Sequence, residues 1–341
     1  MNALQTYRAA VVGCGDISVV HLAALRKLEL AELVAVCDVD PVAREAAATA
    51  HGVPGYSSVE ELLANEQVDV VHVCTPHDQH APVIIACLEA GVNVLTEKPL
   101  AESLASADRV IAAEAASSAK LGVCFQNRYN APVRIARERL SSGEFGTIRG
   151  GAGTVMWTRT PAYYASKPWR GTWANSGGGL LMNQAIHTVD LLQWLVGPVE
   201  RVDGAAHTRA LADSIEVEDT ADMLLTHAGG ATSIFYATNA HTINDSVLVE
   251  VVTDTAVFRI GEDLTIAHTD GRTERITPAP ASSDGRDYWG TSHEDLIRDF
   301  YSQLGSDEGF WISADEARRS LEIIADVYDQ SYPERTQPKE Q

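Results

Sequence analysis

Three groups of residues carry side chains whose types and spacing suit chemistry. Lys98 stands between Glu97 and Pro99. Proline biases the preceding residue toward extended backbone, which fixes the direction in which the ammonium leaves the chain, and Glu97 is a carboxylate near enough to hold it. A lysine serves as acid or base when desolvation or a neighbouring cation depresses its pKa; left charged, it polarises a hydroxyl or carbonyl oxygen. The second group, Asn183, His187 and Asp190, recurs at i, i+4 and i+7, one polar stripe of a helix on which Leu180, Leu181, Ile186, Val189, Leu192 and Leu195 are apolar. An imidazole titrates near neutrality, so His187 can take or give the proton that accompanies hydride transfer, with Asp190 in reach to orient the ring.

The third group is Gly13-Cys14-Gly15-Asp16-Ile17-Ser18, which follows an apolar strand and opens a helix. It fits G-x-G-x-x-G except at Ser18. Gly13 allows a tight turn, Gly15 lets backbone approach a pyrophosphate at the helix N-terminus, and Ser18 can cap that helix. Asp38 follows the second strand about 20 residues on, where a carboxylate binds ribose hydroxyls and repels a 2′-phosphate. The expectation is therefore NAD in preference to NADP. Thr75 and Pro76 end a third strand on the same edge, and His80 is assigned to that cofactor edge too. His77 and His80 lack a third or fourth ligand close in sequence, so no metal is expected. Cys14, Cys37 and Cys74 lie at or just past strand ends on this edge, and alkylating at least one is expected to inhibit, with NAD protecting. The segment from Tyr163 to Trp173 is rich in aromatics with hydrogen-bonding groups. It suits a sugar ring, a hydrophobic clasp between domains or an oligomer contact; Tyr164, Lys167 and Arg170 in it, and Arg128 before it, are the candidates for substrate contacts.

These groups need elements to carry them. Up to residue 125, continuous apolar runs at 9–12, 33–37, 68–74, 92–96 and 121–125 alternate with helical segments. Such runs are buried on both faces, and the alternation predicts a doubly wound parallel sheet. Beyond residue 130 the pattern changes. A helix over 132–140, a strand over 147–158 and a helix over 180–196 precede clustered strands at 222–226, 232–238, 247–252 and 256–260, which predict a largely antiparallel or mixed sheet. Helices over 293–304 and 314–328 follow. The expected division is an α/β dinucleotide-binding domain over 1–126, an α/β substrate domain over 127–330 and a tail over 331–341.

The 341 residues agree with about two domains. Charged residues are 21% and the formal net charge is −21, a balance that disfavours nucleic acid and anionic membrane as partners. No run reaches the roughly 18 apolar residues of a membrane span, and no stretch resembles a secretory leader. The five cysteines form no CxxC pair, so reduced thiols and a cytoplasmic location are expected.

Taken together, Gly13 to Ser18, Cys74-Thr75-Pro76 with His80, Glu97-Lys98-Pro99, and Gly178 through Asp190 resemble the glucose–fructose oxidoreductase / inositol dehydrogenase / rhizopine-catabolism (Gfo/Idh/MocA) family across nearly the whole chain. The resemblance implies an N-terminal Rossmann domain and a C-terminal α/β domain with a large open sheet that often serves for oligomerisation, as a homodimer or homotetramer. It also implies a nicotinamide cofactor, bound by Gly13, Cys14, Gly15, Asp16, Ile17, Ser18, Asp38, Thr75, Pro76, His80, Glu97 and Lys98, and oxidation of a sugar or polyol hydroxyl. Lys98 and His187 match the family's catalytic lysine and histidine, and Pro99 a proline that is often cis. Asn183 departs from the family's aspartate: an amide positions a hydroxyl but takes no proton at neutral pH. Asn183 and His187 are thus both catalytic and substrate-binding candidates. Two other readings remain, glycoside cleavage through transient oxidation and a non-catalytic NAD-binding regulator. Retention of both Lys98 and His187 argues against the regulator.

Overall fold

The computed structural model describes residues 6–277 and 292–336. The last five residues of the expected tail, 337–341, lie outside the described residues; the part within them continues a helix to Ser331 and adds a turn at Pro333–Thr336.

The described residues fall into two compact units: residues 6–126 with 292–318, and 127–277 with 319–336. The second domain expected over 127–330 is therefore interrupted. In the first unit the elements run β1 (Tyr7–Val12), α1 (Ser18–Lys27), β2 (Ala31–Cys37), α2 (Pro41–His51), β3 (Gly55–Tyr56), α3 (Val59–Asn65), β4 (Val70–Val73), α4 (His80–Glu89), β5 (Asn93–Glu97), α5 (Leu104–Ala116) and β6 (Leu121–Cys124). The strands form one parallel six-stranded sheet in the order β3-β2-β1-β4-β5-β6, the doubly wound arrangement whose ligands gather at the carboxyl ends of the strands. Every residue of β4 and β6 is buried, as a sheet covered on both faces requires. The small β3 and α3 escape a periodicity reading because they are short. Ser58 nonetheless caps α3 through the Glu61 amide at 3.2 Å, and Glu61 reaches back to the Ser57 amide at 2.9 Å.

The late segment completes this unit because β6 is made to receive it. Gly122 has no side chain, and a Cβ there would meet Phe300 and Phe310 at 2.8 Å. The Val123 amide donates to the Ile312 carbonyl at 3.0 Å.

In the second unit, α6 (Ala131–Ser141), β7 (Ile148–Met156) and the short helices α7 (Pro161–Ala165) and α8 (Trp173–Ser176) lead to a π-helical turn at Leu181–Ala185 and then α9 (Ile186–Val196). Seven strands follow: β8 (Val199–His207), β9 (Thr220–His227), β10 (Thr232–Thr238), β11 (Leu248–Thr253), β12 (Ala256–Ile260), β13 (Leu264–His268) and β14 (Thr273–Ile276). Helix α10 (Ser292–Gln303) belongs to the first unit, and α11 (Ala314–Ser331) precedes the closing turn α12 (Pro333–Thr336). The eight-stranded sheet runs β14-β13-β12-β11-β7-β10-β9-β8, antiparallel except between β7 and β10. Three of its strands, β8, β13 and β14, fall within the strand-rich stretch 199–277 but outside the four runs named from sequence. Edge strand β8 carries Glu200, Arg201 and Asp203, the charges that protect an exposed edge and also break the apolar alternation.

Helix α9 seats closely on β7 because Gly153 is bare there: a Cβ would stand 3.0 Å from both Thr188 and Leu192. The opposite face of the sheet is open. On it Leu224, Ile234, Tyr236 and Leu248 are exposed, Ile234 at 63%. Among the described residues no helix is long and apolar enough to cross a membrane.

Candidate active site

The glycine loop leaves β1 at its carboxyl end. Gly13 has φ +92°, and a Cβ on it would stand 2.6 Å from the Cys74 carbonyl, so glycine is required both by conformation and by the approach of the β4 end. Around Gly15 a Cβ would meet nothing within 4 Å, which leaves open space before α1. Asp38, just past β2, accepts the Cys14 amide at 2.6 Å and the Asp40 amide at 2.8 Å. Its carboxylate therefore borders the same loop. Ser18 differs from expectation: it is the first residue of α1, not its cap, and its hydroxyl donates back to the Gly15 carbonyl at 2.6 Å. The third-glycine position thus closes the loop on itself.

Lys98 follows β5 on this same edge, 7% exposed, with a cis bond to Pro99. His80 corrects its assignment as a cofactor contact. It is fully buried, with Nδ1 2.7 Å from the Pro99 carbonyl and Nε2 3.0 Å from the Thr75 carbonyl. The ring lies between the Thr75-Pro76 turn and the Lys98-Pro99 turn with both nitrogens facing carbonyls; burial lowers its pKa, and a neutral ring donates to one of the two.

Glu97 is buried beside Lys98 and is engaged by two histidines. Its Oε1 lies 3.1 Å from Nε2 of both His21 and His293, and its Oε2 accepts the main-chain amide of Lys98 at 3.3 Å. Burial alone would raise this carboxyl; the two imidazole N–H groups outweigh it and hold Glu97 well below the usual carboxylate range. The hub extends further. His21 Nδ1 is 2.8 Å from His72 Nδ1, and His72 Nε2 is 2.9 Å from the Tyr301 hydroxyl. Burial lowers the pKa of both His21 and His72, so each ring is neutral with one N–H. One assignment then satisfies every contact: Tyr301 donates to His72, His72 to His21, and His21 to Glu97. His21, Glu97 and Cys124 bring ligand-type atoms within 4.8 Å of one another, but Glu97 itself occupies the middle as the shared acceptor. Sequence reasoning missed His21, His72, His293 and Tyr301. They are far apart in the chain, and Tyr301 and His293 come from α10.

Burial, then the neighbouring Asp38 charge, pushes Cys14 up to about 11. Burial pushes Cys37 up to about 12 and Cys74 well above the ordinary thiol range, a direction that lowers the thiolate fraction on which alkylation depends.

In the second unit, the stripe read as one regular helix begins with the π-turn Leu181–Ala185, and Asn183 lies inside it. Asn183 is half-buried and His187 is 9% exposed on the first turn of α9. Asp190 is bonded within the second unit. Its oxygens take Arg128 Nε at 2.8 Å and Nη2 at 2.6 Å, with the Ser320 hydroxyl at 3.1 Å. The same pair corrects Arg128 as a substrate contact: Arg128 is 1% exposed, bidentate on Asp190, with its guanidinium 5.0 Å over the Trp194 ring. This pair fixes α9 from within.

Tyr164 is likewise a core residue, 4% exposed and clustered with Leu211, Ile215 and Val217. Its hydroxyl receives the Asn239 amide at 3.1 Å, and burial raises its pKa above the ordinary range. Asn239 also donates to Gln184 at 3.2 Å, and Gln184 to the Tyr163 hydroxyl at 3.1 Å. Sequence reasoning missed this amide bridge between the aromatic loop and the π-turn. Arg170 lies 4.6 Å over the Tyr163 ring, and Lys167 is half-buried beside it. Trp173 stacks edgewise on Tyr328 at 5.0 Å, a contact within the second unit. A cavity of about 580 Å³ opens beside it, lined by Pro161, Tyr164, Pro168, Thr172, Ser214 and Glu216. Neither Asn183 nor His187 lines that cavity.

Residues 7–125 match the model of an oxidoreductase family with an NAD-binding Rossmann fold, and residues 133–259 match the GFO/IDH/MocA C-terminal domain. The chain is 30% identical over 287 residues to D-apiose dehydrogenase of Paraburkholderia graminis, covering 82% of this chain and 75% of that protein. It is 29% identical over 232 residues to inositol 2-dehydrogenase of Rhizobium meliloti, covering 66% and 67%. The crystal structure of the WlbA dehydrogenase from Bordetella pertussis, in complex with NADH and UDP-GlcNAcA, superposes with a TM-score of 0.84 at 31% identity over 96% of this chain and 97% of that one.

Proposed function

The chain belongs to the Gfo/Idh/MocA oxidoreductase family, and from that membership we propose that it is an NAD-dependent dehydrogenase oxidising a secondary hydroxyl of a sugar, sugar derivative or cyclic polyol. The observation that carries the reading is that the glycine loop, Asp38 and Lys98 all leave the carboxyl edge of the first sheet. The residues present fit NAD. The open space at Gly15 before α1 suits a pyrophosphate, with the backbone of Gly13, Cys14, Gly15, Asp16 and Ile17 around it. The carboxylate of Asp38 beside that loop suits ribose hydroxyls and repels a 2′-phosphate. Thr75 and Pro76 complete the cofactor edge.

When bound, NAD supplies the hydride acceptor. His187 accepts the hydroxyl proton as the carbinol hydride leaves and the carbonyl forms. Lys98 stabilises the negative charge developing on oxygen. Asn183 holds an adjacent hydroxyl by donating and accepting hydrogen bonds, and Lys167 and Arg170 remain candidates for outer substrate contacts. Relatives named for apiose and inositol support a polyhydroxylated substrate. A fluorescence-monitored panel of sugars and polyols with NAD and with NADP tests the reading. NADH should accumulate with at least one member. Product without net reduction of NAD would instead favour transient oxidation and elimination, and binding without turnover would favour a regulator.

We place the protein in the cytoplasm, a location that suits its five free cysteines. Its open sheet face is assigned to self-association, because Leu224, Ile234, Tyr236 and Leu248 expose apolar surface there. Light scattering is expected to give a dimer or tetramer mass that falls toward monomer in Ile234→Glu. A monomeric wild-type protein contradicts the assignment.

A further inference from the structure

The turn that carries Asn183 has no side-chain cap of its own, yet its first amides are buried and need acceptors. They find them on a single residue, Glu218, which is fully buried just before β9. Its Oε2 accepts the Gly179 amide at 2.8 Å, and its Oε1 accepts the Leu181 amide and the Tyr328 hydroxyl, each at 2.8 Å. Its main-chain carbonyl accepts the intervening amide of Leu180 at 3.1 Å. The glycines exist for this contact. A Cβ at Gly179 would lie 2.1 Å from the Glu218 carbonyl, and one at Gly178 would lie 2.0 Å from the Tyr328 hydroxyl.

Besides its own main-chain amide, every donor to the Glu218 carboxylate belongs to the turn before α9 or to Tyr328. The adjacent Asp219 serves another segment: its side chain accepts the amides of Arg209, Ala210 and Leu211 at 2.7–2.9 Å, and its main chain pairs with Asn239. A buried carboxylate is costly unless its partners offset desolvation; burial pushes Glu218 up to about 7 even with the donors of Leu181, Tyr328, Gly179 and its own amide on it. A solvent-exposed serine or aspartate cap would satisfy a helix end more cheaply. What the buried carboxylate adds is a rigid reference for the turn. The Asn183 amide continues from it, donating to the Gly179 carbonyl at 3.0 Å.

We propose that Glu218 is a positioning residue for the oxidation: by clamping the amides of Gly179, Leu180 and Leu181 it sets the π-turn that carries Asn183 and leads directly into the turn of α9 that carries His187. The proposal rests on the dehydrogenase reading for its catalytic half and on geometry alone for its anchoring half. Glu218→Gln is the test on the full-length protein, because the amide oxygen keeps one acceptor while its NH2 faces the other donor. Glu218→Ala removes both and is the harsher variant. Amide hydrogen exchange over residues 177–187 should accelerate in Glu218→Gln at an unchanged overall melting temperature within a few degrees. Turnover with NAD should fall by about 10–100-fold, the size expected of a displacement near 1 Å, while KM changes far less and NAD affinity stays at the wild-type value. If Glu218→Ala does not fold, Glu218→Gln alone decides. Unchanged exchange in Glu218→Gln overturns the anchoring. Faster exchange with wild-type kcat overturns the positioning role, as does a KM effect without a kcat effect. A wild-type protein that reduces NAD with no member of the panel sinks the dehydrogenase reading and the catalytic half together, with the exchange result still deciding the anchor.

Discussion

Lys98→Ala is expected to lower turnover by about 10²–10⁴-fold, the usual contribution of a positioned acid–base group, while the protein still binds NAD. In free energy this is about 3–5 kcal/mol of lost transition-state stabilisation. The expectation is large because the environment of Lys98 is prepared on every side given by the structure. The residue is 7% exposed, its main-chain amide is held by Glu97, and the His80 ring lies between the turn that follows it and the Thr75-Pro76 turn. An ammonium so desolvated acts strongly on a nearby oxygen. Lys98→Arg keeps the charge but changes its shape, reach and ability to give up a proton, so it should recover only part of the loss. Steady-state kinetics and calorimetric NAD binding check both variants. Near-wild-type turnover in Lys98→Ala contradicts the assignment.

His187→Asn is expected to cost a similar 10²–10⁴-fold in kcat and to remove the acid limb of the pH–rate profile. The sign follows from the role. Oxidation requires an unprotonated base, so wild-type activity falls as pH falls and the imidazole becomes protonated. Without His187 that limb should flatten. Asn183 cannot substitute as the base, because an amide takes no proton in this range. The Asp190 carboxylate is already bonded to Arg128, Ser320 and Gln193. A retained limb in His187→Asn would assign the proton to another group, with Lys98 the first to examine.

Local sequence made the cofactor half readable because its signals are contiguous. The Gly13 turn, the Asp38 carboxylate and the Lys98-Pro99 pair each declare themselves within a few residues, and burial on both sheet faces gives apolar runs with clear ends. What stayed hidden depends on distant partners. That Glu97 also serves His21 and His293, which converge on it from residues far away in the chain, has no local signal. Arg128 and Asp190 each suggested a site role, and only their pairing shows that they satisfy one another inside the second unit. Tyr164 was grouped with substrate residues by composition, yet it packs with Leu211 and Ile215, from a segment some fifty residues later with no motif of its own. Glu218 carried no spacing signal at all, since the amides it holds belong to a turn near residue 180. The π-turn was equally invisible: the apolar pattern around Asn183 and His187 reads as an unbroken helix, and the extra residue in the turn emerges only with the backbone.

Transfer of label from carbon decides the central claim most directly. With a substrate identified from the panel and deuterated at its reacting carbinol carbon, a single turnover should deliver the deuterium to the nicotinamide ring, give reduced NAD and ketone in equal amounts, and leave none of that label in solvent. Deuterium lost to water, or retained in a product formed without any reduced NAD, would mean that this chain does not oxidise its substrate by hydride transfer to a dissociable cofactor.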